Sequence, residues 1–193
     1  MSHDLAEGLF AFVVHKHRAT SLHYDFRLEI GGVMPSWSIP KGPSLDPTVR
    51  RLAMPTGDHE LEYRHFEGVI PGGEYGAGPV MIWDEGNFTP EVEMTRGVRK
   101  EVMDRPEAEE VSRTSLRDGN LKFRLYGKKL RGSFALVRTK GFGGQKEAWL
   151  LIKHRDEYCK AGYDANEYDY SAETNRSLTQ IAAESSKKGR GRT

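Results

Sequence analysis

The chain carries one cysteine, Cys159, in 193 residues. That excludes an internal disulfide and any zinc site built from several thiolates, and it fits a reducing compartment. No apolar run approaches the roughly 18 residues that a membrane-spanning helix needs, and no basic segment followed by an apolar one opens the chain. The expectation is a soluble, cytoplasmic protein without a membrane partner. Charge of one sign is also missing: Lys+Arg 29 against Asp+Glu 28 leaves +1. Without a global basic field, any grip on nucleic acid has to come from a local patch.

What the chain has in quantity is turn punctuation. Its Gly 21 and Pro 9 cluster in runs such as Gly31-Gly32, Pro40-Lys41-Gly42-Pro43 and Pro71-Gly72-Gly73-Glu74-Tyr75-Gly76-Ala77-Gly78. Between these runs lie short alternating or β-branched segments at 10–17, 22–30, 36–39, 51–54, 80–83, 120–125, 133–139 and 149–154. Many short strands separated by such turns predict a mostly β fold, a compact closed or nearly closed β-barrel with a few short helices. Residues 1–9 read as an N-terminal arm, 10–160 as the barrel domain and 161–193 as a C-terminal extension. The extension holds a short helix near 178–183 and ends in Lys187-Lys188-Gly189-Arg190-Gly191-Arg192, expected to be a partly disordered basic tail. The charge-dense, aromatic-free stretch 91–118 reads as a mobile or short-helical insertion between two strands, without chemistry.

Within 22–30 the parity of the residues carries more than solubility. His23, Asp25, Arg27 and Glu29 share one strand face, and Tyr24, Phe26, Leu28 and Ile30 the other. One face thus presents an imidazole, a carboxylate and a guanidinium at alternate positions, the guanidinium being a fixed fork suited to phosphate. His17, six residues upstream of His23, is a candidate third metal ligand if the two segments pair. Two imidazoles and a carboxylate form a common divalent-metal donor set that leaves coordination positions open. The same trio holds non-haem iron in oxygenases, and a solvated strand face carries such residues with no chemistry at all. The polar row is expected to line a barrel mouth or cavity while its apolar counterpart packs under neighbouring elements. Trp37, Trp83 and Trp149 read as core, with base stacking as a second role. His15, His65 and His154 read as bystanders, and Glu29 as either an orienter of a metal-bound histidine or a solvated rim.

Several longer motifs recur together: Phe12-Val13-Val14-His15-Lys16-His17, Leu22-His23-Tyr24-Asp25-Phe26-Arg27-Leu28-Glu29, Trp37-Ser38-Ile39-Pro40-Lys41-Gly42-Pro43-Ser44, Phe66-Glu67-Gly68-Val69-Ile70-Pro71 and Glu74-Tyr75-Gly76-Ala77-Gly78. They continue in Lys129-Leu130-Arg131-Gly132-Ser133-Phe134-Ala135-Leu136-Val137-Arg138 and Trp149-Leu150-Leu151-Ile152-Lys153-His154-Arg155-Asp156. In this order and spacing, over 10–158, the chain resembles the 3′-phosphoesterase family, which occurs as a module of the bacterial end-joining ligase D and as a free-standing protein. The resemblance implies a β-barrel that uses Mn2+, or another divalent transition metal, to heal 3′ ends. In such healing a terminal ribonucleoside is removed to leave a 3′-phosphate, which is then hydrolysed to a 3′-hydroxyl.

The resemblance further implies metal ligands at His17, His23 and Asp25, phosphate contacts at Arg27, Lys41, Arg51, His59 and Tyr63, and a catalytic set of His17, His23, Asp25, Arg27 and His59. The implied substrates are DNA or DNA-RNA 3′ ends of primer-template duplexes. The implied partners are separate ligase, polymerase and end-binding proteins of a repair complex. Gly57 stands where the family tends to carry a glutamate, and only nine residues precede Phe10, which puts 3′-phosphate removal ahead of ribonucleoside removal. A non-catalytic module that grips nucleic-acid ends is the competing reading.

Overall fold

The computed structural model describes residues 8–140 and 147–189. Apart from Gly8 and Leu9, the N-terminal arm lies outside them. The basic end of the tail likewise lies outside the residues whose side chains are described.

Twelve strands are present among these residues, with two helices. Strands β1 (Phe10–Arg18), β2 (Leu22–Leu28), β3 (Val33–Met34), β4 (Ser36–Ile39), β5 (Arg50–Pro55) and β6 (His59–Glu60) come first. A 3-10 helix over Leu61–His65 then leads to β7 (Gly68–Ile70), β8 (Gly78–Thr95) and β9 (Val98–Glu101). Helix α1 (Arg105–Asp118), β10 (Asn120–Gly127), β11 (Arg131–Thr139), β12 (Ala148–Lys153) and α2 (Leu178–Gly189) complete the chain. Eight of the strands close a barrel in the order β1-β2-β4-β5-β12-β11-β10-β8, the long β8 pairing back onto β1, and every pairing is antiparallel. Closure removes the exposed sheet edges that would otherwise template aggregation.

The inside of the barrel follows from strand parity. Phe12 and Val14 of β1, Tyr24, Phe26 and Leu28 of β2, and Trp37 and Ile39 of β4 join Phe123, Phe134 and Trp149 in one buried cluster. Trp37 and Trp149 meet edge to face at 5.4 Å. An eight-stranded barrel has an interior just wide enough for side chains, and these aromatics fill it. The polar row is therefore directed outward. His17 pairs with His23, His15 with Asp25, and Asp25 with Ser38, so these residues share the outer face of the wall. Of the barrel mouth or cavity expected for this row, the structure has a cavity on the outer wall: the same alternation that buries Tyr24, Phe26 and Leu28 leaves no room for it inside.

What turns an outer wall into a cleft is a cover. Val13, Met34 and Ile82 form a small apolar patch on the outer face, and Leu61 of the 3-10 helix and Ala172 of the C-terminal segment pack on it. The C-terminal segment is fastened to the barrel as well, with Tyr163, Ala165, Leu178 and Ile181 all buried in the main cluster.

Of the two readings of 91–118, mobile or short-helical, the structure has the helical one, with added strand pairing. Glu91–Thr95 continue β8, β9 returns along it, and α1 runs 14 residues. Asp104 caps α1 by accepting from Glu107 N, and Gly119 ends it in the left-handed region at φ 76°. Those end signals are legible in the sequence. The usual apolar stripe is not, because only Ala108 and Ser112 are buried.

Asp84 is wholly buried and holds the β10-β11 turn. Its carboxylate accepts from the backbone N–H groups of Lys128, Lys129 and Leu130 at 2.9, 2.9 and 2.8 Å. Asp84→Ala leaves all three donors unpartnered, so unfolding free energy is expected to fall by about 3 kcal/mol or more. A denaturant titration in which the midpoint scarcely moves would contradict this role.

Candidate metal and phosphate site

The register of β1 and β2 brings three ligand-type groups to one point. A carboxylate oxygen of Asp25 lies 3.3 Å from His23 Nε2 and 3.7 Å from His17 Nδ1. The three ligand atoms all lie within 4.8 Å of one another. A cation bound at about 2.1 Å from each ligand would hold neighbouring ligand atoms roughly 3.0–3.4 Å apart, so a small inward adjustment suffices.

The ring tautomers fit a metal. His17 Nε2 donates to the Gly76 carbonyl at 2.6 Å, and His23 Nδ1 donates to the Ser21 carbonyl at 3.1 Å. Each backbone carbonyl fixes the proton on the far nitrogen and turns the other nitrogen's lone pair toward Asp25, the arrangement that orients metal-binding histidines elsewhere. Gly76 is suited to its task. It sits at φ 74°, and a Cβ there would come within 3.3 Å of the His17 ring.

The electrostatics point the same way. Burial opposes charge on Asp25, but the facing imidazoles, which hydrogen-bond to it only when protonated, and the nearby Arg27 guanidinium outweigh it, holding the carboxyl well below the usual range. The hydrogen bond to Asp25 raises His23 above its ordinary value.

Arg27 is 3% exposed and is held on several sides. Its Nε donates to His15 Nδ1 at 3.1 Å, its Nη1 donates to His59 Nδ1 at 3.0 Å, and its Nη2 lies 3.5 Å from Asp25. Its guanidinium stacks over the Tyr63 ring at 5.1 Å. Because arginine only donates, both histidines must accept at Nδ1. In His15 the remaining Nε2–H goes to the Phe66 carbonyl at 3.0 Å. In His59 the remaining donor is Nε2–H, on a ring that lines the cleft and also meets the Gly57 backbone. Burial, with Arg27 second, pushes His15 down to about 3 and also lowers His59. Both rings are neutral at physiological pH, as their acceptor roles require. Tyr63 stands edge-on to His15 and packs on Phe66 at 5.4 Å, and burial raises its phenol.

These groups form one wall of a cleft of about 730 Å³ bounded by the turn after β1, the 3-10 helix and the 71–77 turn. Residues 15–138 match the family described as the DNA ligase D 3′-phosphoesterase domain. The chain belongs to the DNA ligase D 3′-phosphoesterase family. It is 46% identical over 149 residues to the multifunctional non-homologous end joining protein LigD of Pseudomonas aeruginosa, covering 77% of this chain and 16% of that protein. It is 42% identical over 146 residues to the multifunctional non-homologous end joining DNA repair protein LigD of Mycobacterium tuberculosis, covering 76% of this chain and 16% of that one. With LigD of Mycolicibacterium smegmatis the identity is 39% over 146 residues, covering 76% of this chain and 17% of the relative. The chain thus spans about a sixth of the length of these curated relatives.

Within this cleft, five positions read from the sequence come together: His17, His23, Asp25, Arg27 and His59, with Tyr63 beside them. Two others stand apart. Lys41 is exposed on the turn after β4, and Arg51 lies on the Ala53 side of β5 with its Nε shielded and unpartnered among the described residues. Neither lines the cleft. Glu29 is half-buried at the end of β2, where its carboxylate accepts from Ala11 N at 2.7 Å. Gly57 adopts φ 94° with open space around it.

Sequence reasoning missed His15, which the structure makes the buried support of Arg27. The parity it shares with His17 was the available signal. The Phe66 carbonyl that completes its bonding comes from a segment 51 residues away, which no local pattern reveals. Gly76 and Ser21 were missed for the same reason, as they act through backbone carbonyls. Among the described residues no helix is long and apolar enough to cross a membrane.

Proposed function

We propose that this protein is a divalent-metal-dependent phosphoesterase that heals DNA 3′ ends, removing a 3′-phosphate and, on ends bearing a terminal ribonucleoside, that nucleoside as well, to leave a 3′-hydroxyl. The observation that carries this reading is the convergence of His17, His23 and Asp25 on one point with the Arg27 guanidinium 3.5 Å from the same carboxylate. Family membership supports the ester class. Two imidazoles and a carboxylate suit Mn2+ and its neighbours in the transition series. When bound, such an ion polarises a phosphate oxygen and makes coordinated water a nucleophile near neutral pH.

The protein's own groups do the rest. His17, His23 and Asp25 would hold the cation. Arg27, fixed by His15, His59 and Tyr63, offers its remaining N–H groups to nonbridging oxygens, where negative charge builds in the transition state. His59 donates from Nε2–H to the same phosphate. Lys41, exposed outside the cleft wall, would meet a phosphate of the strand further from the terminus, whereas Arg51 shares the face of β5 that carries the buried Ala53. The substrates proposed are 3′ ends of primer-template duplexes. Ligase, polymerase and end-binding activities would come from other chains.

The test is a gel assay on two duplex primers, one ending in a 3′-phosphate and one in a single ribonucleotide, with Mn2+ and then with chelator. Phosphate release that requires metal is expected. Oxygen consumption with iron and no phosphate release would favour an oxygenase, and retention of ends with no product under any divalent ion would favour a binding module.

His15→Ala is expected to lower turnover about 10- to 100-fold, the size typical of lost support for a functional group, while metal affinity stays within a few-fold. A titration of Mn2+ into the variant separates the two effects. Equal losses of metal binding and turnover would mean that His15 acts on the metal site instead of on Arg27.

A further inference from the structure

The charged floor occupies only part of the cleft. Its volume of about 730 Å³ falls within the roughly 300–1,000 Å³ of pockets that enclose a whole small-molecule ligand. Beyond the metal-type residues, the walls are small and uncharged: Ala19, Thr20 and Ser21 from one turn, Ile70 and Ala77 from the other side. Arg27 is the only lysine or arginine among the described lining residues, and Glu74 on the rim would repel a second phosphate. The portion of substrate that crosses this rim is therefore uncharged.

On the same rim stands Tyr75, fully solvent-exposed at 104%. Its neighbour Gly76 holds His17 through the carbonyl, so the backbone that carries Tyr75 is tied to a metal-ligand residue. Trp37, Trp83 and Trp149 are all core residues at 2, 0 and 4% exposure, which removes them as stacking surfaces. An exposed aromatic ring beside a phosphate receptor matches one ligand feature, the face of a nucleobase.

We propose that Tyr75, with the neutral wall beside it, forms a stacking subsite for the base of the 3′-terminal nucleotide, placing its 3′-phosphate on the Arg27 floor. The inference rests on the phosphoesterase reading and specifies which part of the substrate the cleft recognises. Since every base has a π-face, the subsite accepts all four and selects for the presence of a base rather than its identity.

The experiment compares wild type, Tyr75→Ala and Tyr75→Trp on two 3′-phosphorylated primers, one with a normal terminal nucleotide and one whose terminal sugar is abasic. KM for phosphate release and Kd by fluorescence anisotropy are both read. Removing the ring is expected to raise KM and Kd on the normal end about tenfold, in line with the stacking of one base. Tyr75→Trp should restore both values. Wild type should lose a similar factor on the abasic end, and Tyr75→Ala should no longer distinguish the two ends. Unchanged binding by Tyr75→Ala, or an equal loss on both ends, would overturn the subsite. Failure of wild type to release phosphate from either primer would refute the phosphoesterase reading instead, and the Kd ratios would still decide the subsite.

Discussion

Asp25→Asn is expected to abolish tight divalent-metal binding and to lower phosphate release by about a thousandfold or more. Losing a group that merely orients a metal ligand costs about 10- to 100-fold, and Asp25 is closer to the centre than any such group. Its oxygen is the point on which both imidazoles and the guanidinium converge. The amide keeps the shape of the carboxylate but removes its charge, and it sets an NH2 donor where the site needs lone pairs. The fold should survive. Asp25 lies on the outer face of the wall, and the barrel interior behind it is filled by Phe26 and its neighbours. Circular dichroism of the variant should overlay that of wild type, while calorimetric titration with Mn2+ shows little heat. Wild-type-like metal affinity in Asp25→Asn would contradict the site.

Arg27→Lys separates the two halves of the cleft. Turnover is expected to fall about 100- to 1,000-fold, the loss seen when one preorganised donor to developing charge is removed. Metal affinity should stay within a few-fold of wild type. Lysine keeps the positive charge, so a purely electrostatic role would be largely rescued. Arg27 does more than supply charge, because it engages His15, His59 and Asp25 from three nitrogens at once and stacks on Tyr63. A single ammonium on a flexible stem cannot reproduce that fork. Near-normal turnover in Arg27→Lys would show that the phosphate is held elsewhere. Comparing the two variants is informative in itself, since the first should lose metal and activity together and the second activity alone.

The barrel and the ligand trio were legible because both follow from alternation. The parity of residues 22–30 assigned Tyr24, Phe26 and Leu28 to the core and His23, Asp25 and Arg27 to a common face, and the pairing of β1 with β2 sets His17 opposite His23. Alternation left open whether the polar row would line the barrel mouth or another cavity, and the cleft formed on the outer wall. That choice depends on whether aromatic rows from distant strands, such as Phe26 of β2 and Phe123 of β10, meet across the interior. For 91–118 the sequence left a mobile and a short-helical reading open, because Arg105–Asp118 carries caps but too few apolar residues for a visible stripe. The cover was illegible altogether, because it depends on carbonyls of Phe66 and Gly76 approaching β1 from 51 and 59 residues away.

The most direct measurement is a crystal structure of the Mn2+-soaked protein with anomalous scattering recorded near the manganese edge. One peak is expected, coordinated at about 2.0–2.3 Å by His17 Nδ1, His23 Nε2 and an Asp25 oxygen, with the His17 Nε2–H still on the Gly76 carbonyl. A peak elsewhere, or coordination by His17 through Nε2 with the Gly76 contact broken, would contradict the account.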